Sequence, residues 1–546
     1  MKDFSSPLEA FLYWEKQIPD AIFLKQPVNG QIIEYSFARA GKEARIIANE
    51  LKSYSLAERS HIALLSKNCA HWHMGDLAIM MAGHVSIPIY PTLNAESIHQ
   101  ILEHSEAKAI IIGKLDDLNE QQKGFPDIAK IGVELYGDKH VISWEALQQK
   151  GQEINEIHVQ DPDELYTIIY TSGTTGNPKG VMHTVNNFMV SVYGLNKIGN
   201  IEEQCQLFSY LPIAHVAERI LENISFVFGA TVTFPESLDS FASDLEKTQP
   251  LIFFAVPRIW SKFQEKILET IPQKKLSLLL KIPLLNSLIK GKLKQKLGLK
   301  KAKAVLSGAA PIAPSLVLWF EKIGIQILQV YGMTEDGCVS HCNAPWANKV
   351  GSVGQRFDEV SVKLSPEGEI CIKNDCLMKG YFKNPELTSS VFDEDGFFKT
   401  GDIGEYDHEG YLTITGRVKD QFKTDKGKYI SPAPLELKMS KNTAIEQICI
   451  VGTGIPQPIA LITLSELGKS KTKEVLVKEL IETMKEVNVD FEKHEMIQKV
   501  IIMKEDWNVA NGLTTPTLKV KRNSIEKIHQ VFYKEWFEND EIVIFE

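Results

Sequence analysis

The sequence predicts an α/β protein built on a parallel sheet, with a β-rich insert and an α+β domain at its C-terminal end. Three observations carry this. Short apolar runs alternate with helical patterns between Ile62 and Val256, which implies a parallel sheet covered on both faces. From Gly351 to Tyr411 short strands and turns dominate, such as Ser365-Pro366-Glu367-Gly368 ahead of a run at 369–372. Beyond Val418 the chain has strands and helices of its own and enough length for a separate domain. A length of 546 residues fits about three units of roughly 100–200 residues each.

In order, residues 7–17 and 36–53 read as helices and 62–65 as a buried strand; 72–83 is a helix, 85–90 a strand, 97–105 a helix and 109–112 a strand. Residues 165–170 form a β-rich run, 186–194 a helix, and 206–211, 230–234 and 251–256 further strands. Residues 263–303 differ, with eleven lysines against two acids, interleaved with leucine and isoleucine and interrupted by Pro283. Two readings stay open for them: a solvated helical insertion with its apolar face on the core, or peripheral contact with an anionic membrane. The polar Val418-Lys419-Asp420-Gln421 suits a linker. The C-terminal portion offers strands at 445–451 and 459–463 and helices at 472–487 and 491–494.

Apolar residues make up 44% and charged residues 24%, ordinary values for a globular protein. A net charge of −10 argues against nucleic acid as a partner. Seven cysteines, an odd count without a CxxC, point to reduced thiols and a cytoplasmic setting. Cys338, His341 and Cys342 lie close together but lack a second ligand cluster at zinc-finger spacing. The start, with Asp3 and no long apolar stretch, does not resemble a signal peptide, and no apolar run approaches the ~18 residues that span a bilayer.

The chemistry concentrates first in Thr171-Ser172-Gly173-Thr174-Thr175-Gly176-Asn177-Pro178-Lys179-Gly180. Four hydroxyls, three glycines and a lysine follow a strand here. Glycines let backbone N–H groups close on an anion, the hydroxyls donate, and Lys179 adds a point charge suited to phosphate. A flexible surface turn is the alternative on composition alone. The Walker A pattern is absent, since Pro178 precedes Lys179 and Gly180 follows it.

The order of residues in this run closely resembles the phosphate-loop signature of the adenylate-forming, or AMP-binding, enzymes: acyl-CoA synthetases, firefly luciferase and peptide-synthetase adenylation domains. Further motifs follow in that family's order. Ser307-Gly308-Ala309-Ala310 resembles its adenine-flanking loop, with Gln329 as a partner for the adenine amine. Tyr331-Gly332-Met333-Thr334-Glu335 matches its YGxTE signature. There Tyr331 can stack on a purine, Thr334 can reach the α-phosphate, and Glu335 offers Mg²⁺ a hard oxygen. Phe398-Lys399-Thr400-Gly401-Asp402 resembles YxTGD, with Phe398 for tyrosine, and gives Asp402 the ribose hydroxyls. Gly416-Arg417 resembles the next block, in which Arg417 reaches ribose or phosphate. Leu211-Pro212-Ile213-Ala214-His215 and Phe254-Ala255-Val256-Pro257-Arg258-Ile259-Trp260 look like the long-chain fatty acyl-CoA synthetase branch, as does 511–522 around Lys519.

The resemblance runs from about residue 30 to 522. It implies a large N-terminal domain of two α/β sheets plus a β-barrel subdomain, at 1–417. A small mobile α+β domain would follow at 418–546, with the hinge near Lys419. It implies an ATP-dependent fatty acid:CoA ligase with ATP, Mg²⁺ and CoA as cofactors or cosubstrates. Lys519 would be the catalytic lysine, His215 would border the acyl site, Glu335 and Thr175 would serve the metal, and the loop 427–432 with Lys428 would line the thioester-forming site. An acyl-AMP ligase loading a carrier protein and a non-enzymatic nucleotide-binding scaffold are the alternatives. The expected setting is cytoplasmic, with peripheral attachment at the inner membrane surface open, as are acyl chain length and oligomeric state.

Overall fold

The computed structural model describes residues 3–137, 142–172, 178–515 and 519–546. His61–Leu65, Val85–Ile89 and Ala109–Ile112 are apolar and buried at almost every position, because both faces of their sheet are covered. They run parallel at the centre of an eight-stranded sheet. Helix Ala70–Met81 is buried at all twelve positions, as a helix packed on every side must be. Strand β1 (Leu165–Ser172) joins this sheet parallel to Val85–Ile89, and β2 (Pro178–Thr184) returns antiparallel to β1. The phosphate-loop candidate therefore begins at the carboxyl end of a parallel strand, where α/β sheets bind ligands. Helices α1 (Val185–Gly199) and α2 (Val216–Val227) follow, α1 starting from a Thr184 capping box.

A second layer begins with Ile252–Ala255 and helix α3 (Pro257–Thr270), and continues through β3 (Ala304–Ser307) and β4 (Leu328–Tyr331). These three strands are parallel, and two short antiparallel strands complete five. A four-stranded sheet containing Ile22–Val28 abuts this layer, with Leu251 N–H donating to Gln206 O at 2.9 Å. Two α/β layers result, as expected.

The β-rich insert is a four-stranded antiparallel sheet that includes β5 (Phe398–Tyr406) and β6 (Leu412–Arg417). Among the described residues it is open, not the closed barrel expected. Beyond it, β7 (Ile445–Val451) opens a further four-stranded sheet with its own apolar core. Residues 491–494, expected as a helix, are a turn: Phe491 N–H caps Asn488 O and Glu492 N–H bonds the Glu495 carboxylate, which leaves no room for a helical ladder.

The basic segment is helical in three pieces, α3, Gln273–Leu279 and Pro283–Lys296. Pro283 opens the last of them, at the position where a missing N–H costs nothing. Leu276, Leu280, Ile289 and Leu293 pack on the core, while Leu278, Ile282 and Leu288 are exposed.

Candidate functional site

The β1–β2 ladder sets Thr171 opposite Lys179 and Ser172 opposite Pro178. Gly173, Thr174, Thr175 and Gly176 lie outside the described residues, as does the side chain of Ser172. Lys179 Nζ sits over the Tyr381 ring, 5.5 Å from its centroid. Its pKa is lowered by burial and then by the charge of Lys419, with Glu335 pulling the other way. The hairpin is thereby tied electrostatically both to the linker and to the YGMTE turn.

That turn follows β4. Asp336, fully buried, accepts the N–H groups of Met333 and Cys338, each at 2.8 Å. Burial pushes its carboxyl up to about 8. Gly332 is required by close approach, since a Cβ there would stand 2.5 Å from Cys338 Cα. Thr334 O accepts a 2.7 Å bond from His183 Nε2 on β2, which joins the two loops. Burial lowers the His183 pKa to about 4. Glu335 Oε1 accepts from Tyr381 Oη at 2.9 Å, so Tyr381 stands between Lys179 and Glu335.

Asp402 is the centre of a second group. It is 4% exposed. Tyr331 Oη donates to its Oδ2 at 2.8 Å and Arg417 Nε to its Oδ1 at 2.7 Å. The β5–β6 ladder pairs Asp402 directly with Arg417, which explains why the motifs go together. Asp402 raises the Arg417 pKa, and the Arg417 side chain as a whole is 56% exposed. Tyr331 thus serves first as a hydrogen-bond donor, with its ring 6.0 Å from that of His341.

The floor beside this group comes from β3 and β4, where Ser307 pairs with Gln329. Ser307 Oγ is buried without a partner among the described residues. A Cβ on Gly308 would lie 2.9 Å from Val330 O, and Ala309 adopts φ +66°, a left-handed backbone that an alanine rarely takes. Strain of this kind marks functional loops.

Lys519 arrives from the C-terminal portion. Its backbone closes a small loop with Thr515, with N–H donation to Oγ1 at 3.1 Å and O acceptance from Thr515 N–H at 2.8 Å. Burial lowers its pKa, Arg417 lowers it further, and Asp402, Cys338 and Glu335 act in the opposite sense. Lys519 therefore senses both groups. It also senses His215, the N-cap of α2, whose Nδ1 accepts from Ala217 N–H at 3.2 Å. Burial, then Lys519, holds the His215 pKa at about 3. Arg522, a competitor in the sequence, is instead spent inside its own domain on Glu436 and Ile450 O. Lys428 is exposed on a turn, bonded through its backbone to Thr424, and its described contacts do not reach the cluster.

The AMP-binding enzyme family matches residues 11–382, and its C-terminal domain family matches 419–538. The chain belongs to the AMP-binding enzymes. It is 28% identical over 581 residues to the long-chain-fatty-acid–CoA ligase FadD15 of Mycobacterium bovis, covering 94% of this chain and 93% of that protein. It is 28% identical over 567 residues to long-chain-fatty-acid–CoA ligase 5 of Rattus norvegicus, covering 90% and 82%. Among solved structures, the adenylation domain of a carboxylate reductase from Mycobacterium chelonae superposes with TM-score 0.82 at 19% identity, covering 98% and 91%. The o-succinylbenzoate CoA synthetase of Bacillus subtilis, in complex with its acyl-adenylate, gives 0.75 at 21%, covering 95% and 97%. These two share the fold.

Within this AMP-binding enzyme, three residues next to the cluster escaped the sequence reading: His183, Asp336 and Tyr381. Two of them are neighbours of motif residues, and position beside a motif was the only signal they carried. Tyr381 lay outside every motif considered. Chemically the arrangement offers a carboxylate for vicinal hydroxyls at Asp402, a carboxylate for a hard cation at Glu335, and cations at Lys179, Arg417 and Lys519 for a polyphosphate.

Proposed function

We propose that the chain is an ATP-dependent fatty acid:CoA ligase, converting fatty acid, ATP and CoA to acyl-CoA, AMP and diphosphate through an acyl-AMP. The observation that supports it best is the Asp402 group, a buried carboxylate bonded by Tyr331 Oη at 2.8 Å and Arg417 Nε at 2.7 Å, whose charges also act on Lys519 of the C-terminal portion. A lysine so placed bridges the attacking carboxylate and the α-phosphate, where negative charge gathers in the first step. Asp402, steadied by Tyr331 and Arg417, orients the ribose. Thr334 and the hydroxyls of 171–175 hold phosphate, Lys179 offsets its charge, and Gln329 and the 307–309 loop hold adenine. The protein's work is positioning and charge neutralisation.

Glu335 fits Mg²⁺: Tyr381 engages Oε1, and Oε2 is the oxygen for the cation. Among the described residues no group of three or more His, Cys, Asp or Glu side chains forms a metal cage. Glu335 and Thr175 are the residues that would hold the ion, alongside phosphate oxygens. Bound there, Mg²⁺ supplies neutralisation of phosphate charge. In the second step the thiol of CoA attacks the mixed anhydride. The C-terminal domain, 418–546, turns about Lys419 between steps, withdrawing Lys519 and bringing in the loop 427–432 with Lys428. Two chemistries at one site call for such a two-state element.

Peripheral contact with an anionic membrane belongs to the same proposal. Leu278 and Ile282 are exposed one turn from Lys274, Lys275 and Lys281, and none of these lysines has an ion-pair partner among the described residues. No described helix is long and apolar enough to cross a membrane.

The deciding experiment is CoA-dependent AMP formation across carboxylic acids from acetate to long fatty acids. Turnover that rises with chain length and yields acyl-CoA supports the proposal. AMP release that needs a carrier-protein thiol in place of CoA moves the acceptor, and no pyrophosphate exchange with any acid leaves a nucleotide-binding scaffold.

A further inference from the structure

The run 254–260 contains one charged residue, Arg258, which none of the roles above uses. Pro257 opens α3 and Trp260, fully buried, packs edge-on against Phe253 and Phe320, so the first turn of this helix is fixed. A cation in the first turn faces the positive end of the helix dipole and gains nothing from it. Arg258 finds its partner elsewhere, in an ion pair with Glu446 on β7. Among the described residues this is the one ion pair that joins the portion before the 418–421 linker to the portion after it.

Arg258 Nε is buried and has no partner of its own among the described residues. Glu265, two helical turns along α3, faces the same place, and its pKa is raised by burial and then by Glu446. Lys262, one turn along α3, and Arg258 both offset this carboxylate charge, and Arg258 is the one of the two that is ion-paired with Glu446 among the described residues. Among the described residues, the other side-chain bond between the portions, Ser431 Oγ to Thr415 O at 3.0 Å, lies close to the linker, where a swivel leaves it little leverage.

We propose that Arg258 is a positioning residue: its ion pair with Glu446 holds the C-terminal domain in the orientation that delivers Lys519 to the Asp402–Arg417 site, and the pair opens when the domain turns. This rests on the two-step ligase reading. The side chains are 38% and 25% exposed, so the pair is of the partly screened kind. Such a contact biases an equilibrium by about 1.5- to 5-fold and still breaks in every cycle.

The test uses the full-length protein with Arg258→Gln, Glu446→Gln, the double variant and Arg258→Lys. Three readouts are taken: pyrophosphate exchange with ATP and a fatty acid, thioester formation from supplied acyl-AMP and CoA, and protease cleavage within 418–421. Each glutamine variant is expected to lower the exchange kcat about 1.5- to 5-fold at unchanged ATP KM, to leave thioester formation intact or faster, and to speed linker cleavage. The double variant should be no worse than either single one, because both lose the same contact, and Arg258→Lys should keep most of the exchange. Equal loss of both half-reactions, additive losses in the double variant, or wild-type exchange and cleavage in the single variants would overturn the assignment. If the wild-type protein exchanges no pyrophosphate, the ligase reading fails, and the linker-cleavage comparison still decides whether the pair holds the domain.

Discussion

Replacing Lys519 by alanine isolates the first chemical step. The ammonium stands where burial and Arg417 both work against its charge, a water-poor setting in which one preorganised cation counts for more than at a surface. Losing a single preorganised charge or donor of this kind costs roughly 3–4 kcal/mol, or about 10²–10³ in the adenylation rate. Arg417 and Lys179 remain and keep ATP binding nearly unchanged. Thioester formation from supplied acyl-AMP should stay within about fivefold of wild type, a change of about 1 kcal/mol or less. The lowered pKa adds a signature: adenylation should fall as pH rises, below the range where an ordinary lysine titrates, and Lys519→Arg should carry that limb to higher pH because a guanidinium keeps its proton. Single-turnover pyrophosphate release and acyl-CoA formation are the assays. An equal loss in both half-reactions would refute the assigned division of roles, and so would an alkaline limb that Lys519→Arg leaves in place.

Tyr381→Phe removes the hydroxyl that donates to Glu335 and should lower adenylation roughly 2- to 10-fold, the worth of about 0.5–1.5 kcal/mol, with a shifted Mg²⁺ requirement in a metal titration. Gly332→Ala drives a Cβ against Cys338 backbone atoms at 2.5 and 2.7 Å; a loss of about 1–3 kcal/mol in urea unfolding, together with lost activity, is expected. Asp336 is held near 8 against an ordinary 3.8, so the folded state keeps a proton that the unfolded chain releases. Its contribution is full below the ordinary value and is lost as pH rises through the folded one. Asp336→Asn should therefore flatten the fall in stability between pH 5.5 and 7.5 by about 1.4 kcal/mol per unit, read by denaturant titration at the two pH values. Sedimentation with phosphatidylcholine–phosphatidylserine vesicles should carry down the wild type at low salt and should lose the protein when Lys274, Lys275 and Lys281 become glutamate; equal binding by both proteins would remove the segment from the membrane.

What the sequence disclosed, and what it withheld, follows the range of the forces involved. Strand 109–112 and helix 7–17 were legible to the residue, because apolar patterning along the chain is a local signal. Pro283 was legible as a break, though only the fold tells that it begins a helix rather than ending one. The turn at 491–494 was misread because four residues carry no period. In the site, glycine-rich runs and charged motif residues were visible one by one. Their pairing was not: that Arg417 holds Asp402 depends on a ladder between β5 and β6, and that His183 holds Thr334 depends on a strand of one sheet meeting the turn after a strand of another. Tyr381 was invisible for the same reason.

Burial sorts the ionisable groups of this site into two kinds. His183, His215 and Asp336, with pKa values driven to about 4, 3 and 8, are neutral at pH 7. Each spends its hydrogen bonds on backbone: Thr334 O, Ala217 N–H, and the N–H groups of Met333 and Cys338. They fix loops without adding a charge beside the phosphates. In the proposed ligase, Lys179, Arg417 and Lys519 would act on the nucleotide without a competing histidine cation or a further buried carboxylate. The repulsion that acts on Lys519 from Arg417 and on Lys179 from Lys419 would be relieved by a polyanion. The cluster is thus better suited to hold a polyphosphate than to stand alone, and binding of ATP should itself draw the C-terminal domain, with Lys519, onto the site.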